Sequence, residues 1–292
     1  MRRGEFSLAW QVSDAVLRQR AGLSCHLPRH PQYIWDGTSL ENKRVLVRCY
    51  HGLGDTIQFI RYTPLLKAIA TQVIVWAQPT LIPLLLTADG IDRLLPLHDG
   101  TPDCDYDVEV EIMELPHVFR TSLETLPAAV PYLHVDPVRV AHNQLSVGIT
   151  WRAGNWDPHR NIPFQLVTKL AEVPEVTFYV LQQDAAYDER HERFTPILDP
   201  MGDALATAQV VRSLDLVISV DSMPAHLAGA LGVQTWTLLQ RDADWRWMIE
   251  REDSPWYPTM RLFRQEQPQR WEPVLSRVLV ELRQLKELRD KH

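Results

Sequence analysis

The chain has 292 residues, of which 45% are hydrophobic and 23% charged, and this composition is typical of a soluble globular protein. The length is comfortable for two domains. The net charge of -7 argues against a large basic surface for nucleic acid, but it leaves room for a local basic site that binds a phosphate.

The three cysteines Cys25, Cys49 and Cys104 have a spacing that fits no zinc motif, and their odd number gives no disulfide framework. The N-terminus lacks the apolar stretch of a secretion signal. No run approaches the roughly 20 apolar residues of a membrane helix. We therefore expect free thiols and a cytoplasmic location.

The first 43 residues form a preface to the body of the chain, with a helix predicted over 5–22 and a proline-rich extended segment over 27–39. Alternating strand and helix patterns then predict an N-terminal Rossmann-like domain over 44–138. Its predicted strands are 43–49, 72–78 and 106–113, and its predicted helices are 55–70, kinked or restarted at Pro64, and 80–88.

After a linker at 134–144, a second run of the same kind predicts a Rossmann-like domain over 143–270, and 271–292 reads as a long amphipathic helix. Together these patterns predict an α/β fold with two parallel sheets, whose ligands bind beyond the carboxyl ends of the strands. The predicted strands are 145–151, 176–182, 215–220 and 234–239, and the predicted helices are 163–173, 204–214 and 223–232.

The segment "HGLGD" follows the first predicted strand and opens the next helix. Gly52 and Gly54 permit a sharp turn where a side chain would block it, or a positive φ. Asp55 then lies at the mouth of the cleft between the sheets. The spacing alone equally allows Asp55 to be only a helix cap, and the motif lacks the third glycine of a dinucleotide fingerprint.

In "DLVISVDSMPAHLAGALG", Asp221 and Ser222 follow a strand, and Pro224 stands at a helix start. A helix N-terminus carries free N–H groups and partial positive charge, so it is suited to an anion. His226 lies about one turn inside and could reach the same ligand. The alternative is an Asp/Ser cap and a packed histidine.

The loop "ITWRAGNWDPHRNIPF" carries Arg152, Asn155, His159 and Arg160 at the edge of the second sheet, which suits a diphosphate, although a solvated loop would look similar. Gln182, at the end of another strand, could face a nucleobase.

The acids that alternate from Asp103 to Glu111 invite a metal hypothesis, but glycine is missing from the sixth position of a calcium loop, where Val108 stands. One solvated face of a strand explains them more simply, and we expect no metal. Aromatic faces at Trp245, Trp247 and Trp256 could stack on a sugar or base, although packing beneath the tail helix is expected for two of them.

Four segments occur in the order "HGLGDTIQFIRYTPLL", "GITWRAGNWDPHRNIPF", "DLVISVDSMPAHLAGALGVQTWTLL" and "DADWRWMIEREDSPWYPTMRLFRQ". Together they resemble the glycosyltransferase region of bacterial tetratricopeptide-repeat glycosyltransferases. Those enzymes are similar to the heptosyltransferases of glycosyltransferase family nine and, more distantly, to protein O-linked N-acetylglucosamine transferases. The resemblance covers Trp35 to Trp271. The opening "GEFSLAWQVSDAV" resembles the end of a final helical repeat.

The resemblance implies a GT-B fold, with the acceptor on the domain 44–138 and the sugar nucleotide on the domain 143–270. Asp55 matches the family's acid after the glycine loop and becomes the candidate base. Met223 and Pro224 replace smaller residues, which removes one possible N–H donor, and Gln183 stands where a lysine is frequent. The expected donor-binding residues are Arg152, Arg160, Gln182, Asp221, Ser222, Met223 and His226.

The function expected from the resemblance is an inverting, metal-independent hexosyl or heptosyl transfer from a nucleotide sugar to a saccharide or protein hydroxyl. The nucleotide sugar is a substrate, and no cofactor or nucleic-acid partner is expected. Peripheral membrane association is compatible with this function. A GT-B-type sugar-nucleotide epimerase or hydrolase and a non-catalytic nucleotide-sugar-binding protein are the alternatives.

Overall fold

A computed structural model describes residues 1–20, 35–140, 144–154, 157–182, 189–197 and 203–291. Cys25, Asn155 and Gln183 lie outside the described residues, as do the first part of the predicted extended segment and 141–143 of the predicted linker. No helix among the described residues is long and apolar enough to span a membrane.

Helices and strands alternate through both halves of the chain. The helices are α1 Phe6–Arg20, α2 Leu53–Phe59, α3 Thr63–Ile69, α4 Ile82–Leu85, α5 Leu115–Val118, α6 Phe164–Val167, α7 Ala204–Arg212, α8 Met223–Ala230 and α9 Glu272–Arg289. The strands are β1 Arg44–Cys49, β2 Gln72–Ala77, β3 Arg93–Pro96, β4 Val108–Glu111, β5 Leu145–Thr150, β6 Val176–Val180, β7 Phe194–Pro196, β8 Leu216–Val220, β9 Thr235–Leu239 and β10 Met260–Arg264.

The strands form two parallel sheets. The first has the order β3-β2-β1-β4, and the second has the order β10-β9-β8-β5-β6-β7. In the first sheet Arg44 lies opposite Gln72, and Val45 lies opposite Val108. The central strands β5, β8 and β9 are buried along their whole length, as expected where helices cover both faces of a parallel sheet. The two predicted parallel sheets are therefore confirmed.

Strands β3, β7 and β10 were not predicted from the sequence, and each lies at the edge of its sheet. An edge strand is covered less than a central one, so its hydrophobic pattern is weaker; β3, for example, has exposed residues at both ends. The predicted helix 55–70 is interrupted as Pro64 suggested. It ends at Phe59, and α3 begins after the 3-10 turn Ile60–Tyr62 with Pro64 in its first turn, where a missing N–H costs little.

One apolar cluster joins the two halves, because side chains of both contribute to it. Ile57 and Phe59 enter it from α2, whereas Leu227 enters it from α8 and Trp256 from a later loop. A second cluster fills the space between the second sheet and α9. Helices α2 and α8 follow the central strands β1 and β8, so their first turns meet where the carboxyl ends of those strands lie. The division into domains at 138–143 stays a prediction.

Gly54 stands at the contact of α2 with α8. A Cβ added there would lie 2.7 Å from His226 Cδ2 and 3.5 Å from the Cα of Met223. Because His226 is itself buried, it has little space to move away. Glycine is therefore required here so that the two helices approach closely.

We expect Gly54→Ala to destabilise the protein, since overpacking a core typically costs ~1–3 kcal/mol, while alanine in a helix regains only about 0.5–1 kcal/mol. Urea denaturation followed by circular dichroism measures the difference. Gly154→Ala is the matched control, because a Cβ at Gly154 would meet nothing within 4 Å. Equal free energies of unfolding for the two variants would contradict the close contact of the helices.

Candidate functional site

Asp55 lies in the first turn of α2 and reaches back over the glycine loop. Its Oδ2 accepts a hydrogen bond from the Gly52 backbone N–H at 3.0 Å, as an acid in a capping box does. Gly52 has φ -64° and ψ 152°, so positive φ does not explain this glycine. A Cβ on Gly52 would instead lie 3.1 Å from Asp55 Oδ2. Of the two reasons that the sequence left open for the glycines, the steric one holds.

The other carboxylate oxygen of Asp55 is bound by a residue that the sequence analysis did not select. Arg246 Nη1 donates to Asp55 Oδ1 at 2.7 Å, and Arg246 Nε donates to Asp244 Oδ1 at 2.9 Å. The side chain of Arg246 is only 7% exposed. Burial opposes its charge, but the carboxylates of Asp244, Asp55 and Asp221 outweigh burial and raise the pKa of the guanidinium. Arg246 therefore joins the second half of the chain to Asp55 through a buried ion pair.

The residues at the start of α8 are placed by strand β8. Ser222 is the N-cap with extended backbone, yet its hydroxyl makes no cap hydrogen bond and donates instead to the Val220 carbonyl oxygen at 3.2 Å. Asp221 is buried, and burial raises the pKa of its carboxyl. Its backbone carbonyl oxygen accepts a hydrogen bond from Arg160 Nη1 at 2.9 Å. The structure thus brings Asp221, Ser222, Met223 and Arg160 together, and the side-chain cap proposed as the alternative for Ser222 is not formed.

His226 is 3% exposed and packs between aromatic side chains. Its ring stacks on Trp247 with 5.2 Å between centroids, and its Nδ1 lies 2.9 Å from the Tyr257 hydroxyl. Burial, and then the cations Arg246 and Arg61, lower the pKa of His226 well below its ordinary value, so the ring is neutral near pH 7. These contacts give the histidine a packing role, and contact with a donor phosphate stays a prediction.

Arg152 and Gln182 lie together at the carboxyl ends of β5 and β6. Gln182 is 8% exposed, and its Oε1 accepts the backbone N–H of Arg152 at 2.9 Å. The Arg152 guanidinium makes an ion pair with Glu189 at 3.0 Å. Arg160 differs, since within the described ranges it makes no ion pair and donates to the carbonyl oxygens of Asp157 and Asp221. Of the two arginines, Arg160 has more of its charge available to a ligand.

The interpretation of the alternating acids as one solvated face holds for Asp103, Asp105 and Asp107, which are exposed, but it is wrong for the two acids of β4, Glu109 and Glu111. Glu109 pairs with Arg48 at 2.5 Å, whereas Glu111 is 4% exposed. Glu111 Oε2 accepts the Met113 backbone N–H at 3.0 Å, and burial raises the pKa of Glu111 to about 9. Glu111, the last acid of the strand, lies beneath α2 and near Asp55. The alternating pattern of a single strand does not reveal that a helix covers this residue. In the described part of the chain, no group of three or more potential ligands is arranged to hold a metal ion.

Trp245, Trp247 and Trp256, the tryptophans singled out in the sequence, lie at the junction of the two halves. Trp247 and Trp256 are fully buried, but in the cluster that contains α2 rather than the cluster beneath α9. Trp245 stacks on Phe59 at 6.4 Å between centroids. The expectation that two of the three are buried is confirmed, although their location is different. The same segment, "DADWRW", also holds Arg246, and an arginine between two tryptophans was the signal that could have identified it.

Glu111 gives a prediction about stability and pH. Its folded-state pKa of about 9 exceeds the ordinary value of 4.5, so the folded state keeps a proton that the unfolded chain releases between these pH values. Stability therefore falls as pH rises through this window, by on the order of 3 kcal/mol at pH 7. We expect Glu111→Gln to raise the free energy of unfolding at pH 7 and to flatten its decline between pH 5 and 9.

Urea denaturation at several pH values measures this effect. Glu109→Gln is the control on the same strand, because it removes a partly exposed ion pair and leaves Glu111 unchanged. A wild-type protein whose stability has the same pH dependence as that of Glu111→Gln would show that Glu111 is not a buried neutral acid.

No protein-family model matches the chain. Protein FlbA of Caulobacter vibrioides is 28% identical in an alignment 292 positions long, which covers 87% of this chain and 48% of that protein. The chain therefore spans about half the length of this curated relative.

Several solved structures are similar at low sequence identity. A glycosyl transferase family 9 protein from Veillonella parvula has a TM-score of 0.57 at 12% identity, over 78% of this chain and 87% of that chain. The E. coli ADP-heptose LPS heptosyltransferase II has a TM-score of 0.54 at 12% identity, over 82% and 99% of the two chains. The E. coli heptosyltransferase WaaC with ADP-2-deoxy-2-fluoro heptose has a TM-score of 0.55 at 13% identity, over 82% and 99%. At these identities the likeness establishes the fold: the chain has the GT-B fold, with two Rossmann-like units, that the sequence predicted.

Proposed function

We propose that the chain is a glycosyltransferase that moves a sugar from a nucleotide sugar to a hydroxyl acceptor, with inversion and without a metal ion. The observation that carries this proposal is the meeting of α2 with α8 at Gly54. It sets a carboxylate beside a helix N-terminus suited to a diphosphate. In this proposal the carboxylate is the base for the acceptor and the helix N-terminus is the site for the leaving group, and the similarity in fold to nucleotide-sugar enzymes supports it.

The donor is proposed to bind at the start of α8. The first turn of a helix offers N–H groups and the positive end of its dipole to an anion. Arg160 adds a cation directly beside the Asp221 backbone. ADP and ADP-heptose are the first donors to test, because the titles of the similar E. coli structures name an ADP-heptose enzyme and a complex with an ADP-fluoroheptose.

The transfer is proposed to proceed in line. Asp55 takes the proton of the acceptor hydroxyl while the hydroxyl oxygen forms a bond to the anomeric carbon of the sugar. The bond from that carbon to the diphosphate oxygen breaks, and the nucleoside diphosphate leaves with the electron pair. The helix dipole and the cations stabilise the charge that develops on the leaving group, so the mechanism needs no metal.

Nucleotide binding tests the donor site. We expect ADP, or another nucleoside diphosphate from a panel with UDP and GDP, to raise the melting temperature, because a ligand that binds only the folded state stabilises it. Arg160→Ala should weaken the binding, whereas Arg212→Ala, which removes a charge from the exposed end of α7, should not. If no nucleoside diphosphate stabilises the protein, the proposal fails.

Transfer kinetics test the base. Asp55→Asn retains the shape of the side chain, but its amide has a single acceptor oxygen and can keep only one of the two hydrogen bonds that Asp55 accepts from Gly52 and Arg246. We therefore expect a folded protein of lower stability, as the melting temperature will show. Because the amide cannot accept a proton, we expect a loss of transfer of about 10²–10⁴-fold. The assay follows release of nucleoside diphosphate with free saccharides and serine or threonine peptides as acceptors, in the presence of a chelator.

Three outcomes would contradict parts of this proposal. A wild-type rate in Asp55→Asn would leave Asp55 as a cap only. A requirement for added manganese would contradict the metal-independent mechanism. Donor consumption that is independent of every acceptor would favour the epimerase or hydrolase alternative.

A further inference from the structure

Arg246 occupies a position between the proposed acceptor site and the proposed donor site. On one side it contacts Asp55 in the first turn of α2. On the other side, its neighbour Trp247 stacks on His226 in the first turn of α8. The carboxyl of Asp221, just before α8, is also close enough to act on the charge of the guanidinium. The cation therefore contacts the first turn of α2 and is close enough to Asp221 and His226, at the start of α8, to act on their charges.

The guanidinium of Arg246 has N–H donors that are not used within the described part of the chain. Its Nη1 donates to Asp55 and its Nε to Asp244, while Nη2 makes no hydrogen bond with any residue that the structure describes. A guanidinium is a planar fork of five N–H donors whose geometry matches phosphate oxygens. A phosphate bound at the start of α8 could therefore accept hydrogen bonds from the donors of Arg246 that Asp55 and Asp244 do not use.

The ion pair also affects Asp55. Its Oδ1 accepts a hydrogen bond from Arg246 Nη1, and its Oδ2 accepts one from the Gly52 backbone N–H, so both carboxylate oxygens are already engaged. A general base must present a carboxylate oxygen to the proton that it takes from the acceptor. In the observed arrangement Arg246 occupies Oδ1 of the candidate base.

We propose that Arg246 is shared between the two substrates, an inference that rests on the function proposed above. With the donor site empty, the guanidinium pairs with Asp55. When a nucleoside diphosphate binds at α8, the phosphate oxygens draw the guanidinium away from Asp55, and Oδ1 of the carboxylate is then free to receive the proton of the acceptor hydroxyl. Donor binding would in this way precede and activate removal of the acceptor proton.

The competition has a thermodynamic consequence that does not depend on knowing the acceptor. Asp55 and the diphosphate compete for one cation, and coupling between two sites is reciprocal. Removing the charge of Asp55 should therefore tighten nucleotide binding. This effect is opposite to the one expected if Asp55 only helped to build the pocket.

Isothermal titration with ADP, UDP and GDP tests the proposal on four proteins: wild type, Asp55→Asn, Arg246→Gln and the double variant. We expect Asp55→Asn to bind nucleoside diphosphate about 3–10-fold more tightly, and Arg246→Gln to bind it about 10-fold more weakly, as a lost charge-assisted contact does. In the double variant the gain from Asp55→Asn should disappear, because no cation remains to be released. The control is Arg251→Gln, five residues after Arg246, which removes a partly exposed ion pair with Asp253. This variant should bind nucleoside diphosphate like wild type.

The possible results are distinct. Unchanged or weaker binding by Asp55→Asn, with wild-type binding intact, would overturn the sharing of Arg246 and leave the proposed function standing. Failure of the wild type to bind any of the three nucleotides would instead overturn the proposed function and the inference with it. If Arg246→Gln does not fold, Arg246→Met takes its place in the single and the double variant, because it keeps most of the length of the buried side chain without the charge. Equal gains from Asp55→Asn with and without Arg246 would assign the effect to general charge and reject the proposal.

Discussion

The close approach of two helix N-termini is the constraint on which the site depends. Helices α2 and α8 follow central strands of different sheets, and they meet at Gly54, where the absence of a side chain lets His226 lie against the backbone. Because the carboxyl ends of β1 and β8 point to the same place, this one contact brings Asp55, Asp221, Ser222 and Arg246 into one neighbourhood. Aromatic packing around His226 then fixes the geometry.

Burial gives the charged groups at this junction their properties. Glu111 carries a proton because water is excluded from it, His226 is neutral for the same reason, and Arg246 keeps its charge because carboxylates surround it. Groups whose protonation is shifted in this way frequently mark functional sites, because catalytic acids and bases need pKa values that differ from the ordinary ones. Here three of them lie within the region where the sheets meet.

Much of the fold was readable from the sequence, because central strands of parallel sheets are continuous apolar runs such as those of β5 and β8. Of the four edge strands, β4 was predicted, whereas β3, β7 and β10 were missed because edge strands have a weaker hydrophobic pattern. Asp55 and the start of α8 were found because glycines, a proline and capping residues mark the points where a strand ends and a helix begins. Arg246 was missed because its importance comes from Asp55, 191 residues away, and Glu111 was misread because alternation describes a strand and not the helix that covers it.

A second buried cation at the junction differs from Arg246 in kind. Arg61, just after α2, donates to the carbonyl oxygen of Trp256 at 2.5 Å and to the Tyr132 hydroxyl at 2.8 Å, and its guanidinium carbon lies 4.5 Å from the centroid of the Tyr257 ring. Neutral oxygens and ring faces hold it, so this link between the halves does not titrate with acid. The link at the other end of α2 joins two full charges, Asp55 and Arg246. A bound anion can compete with the carboxylate for Arg246, whereas Arg61 has no carboxylate partner to displace in the described part of the chain. The start of α2 is therefore the end of the helix that a ligand can release, and the end near Arg61 is the one that stays fixed.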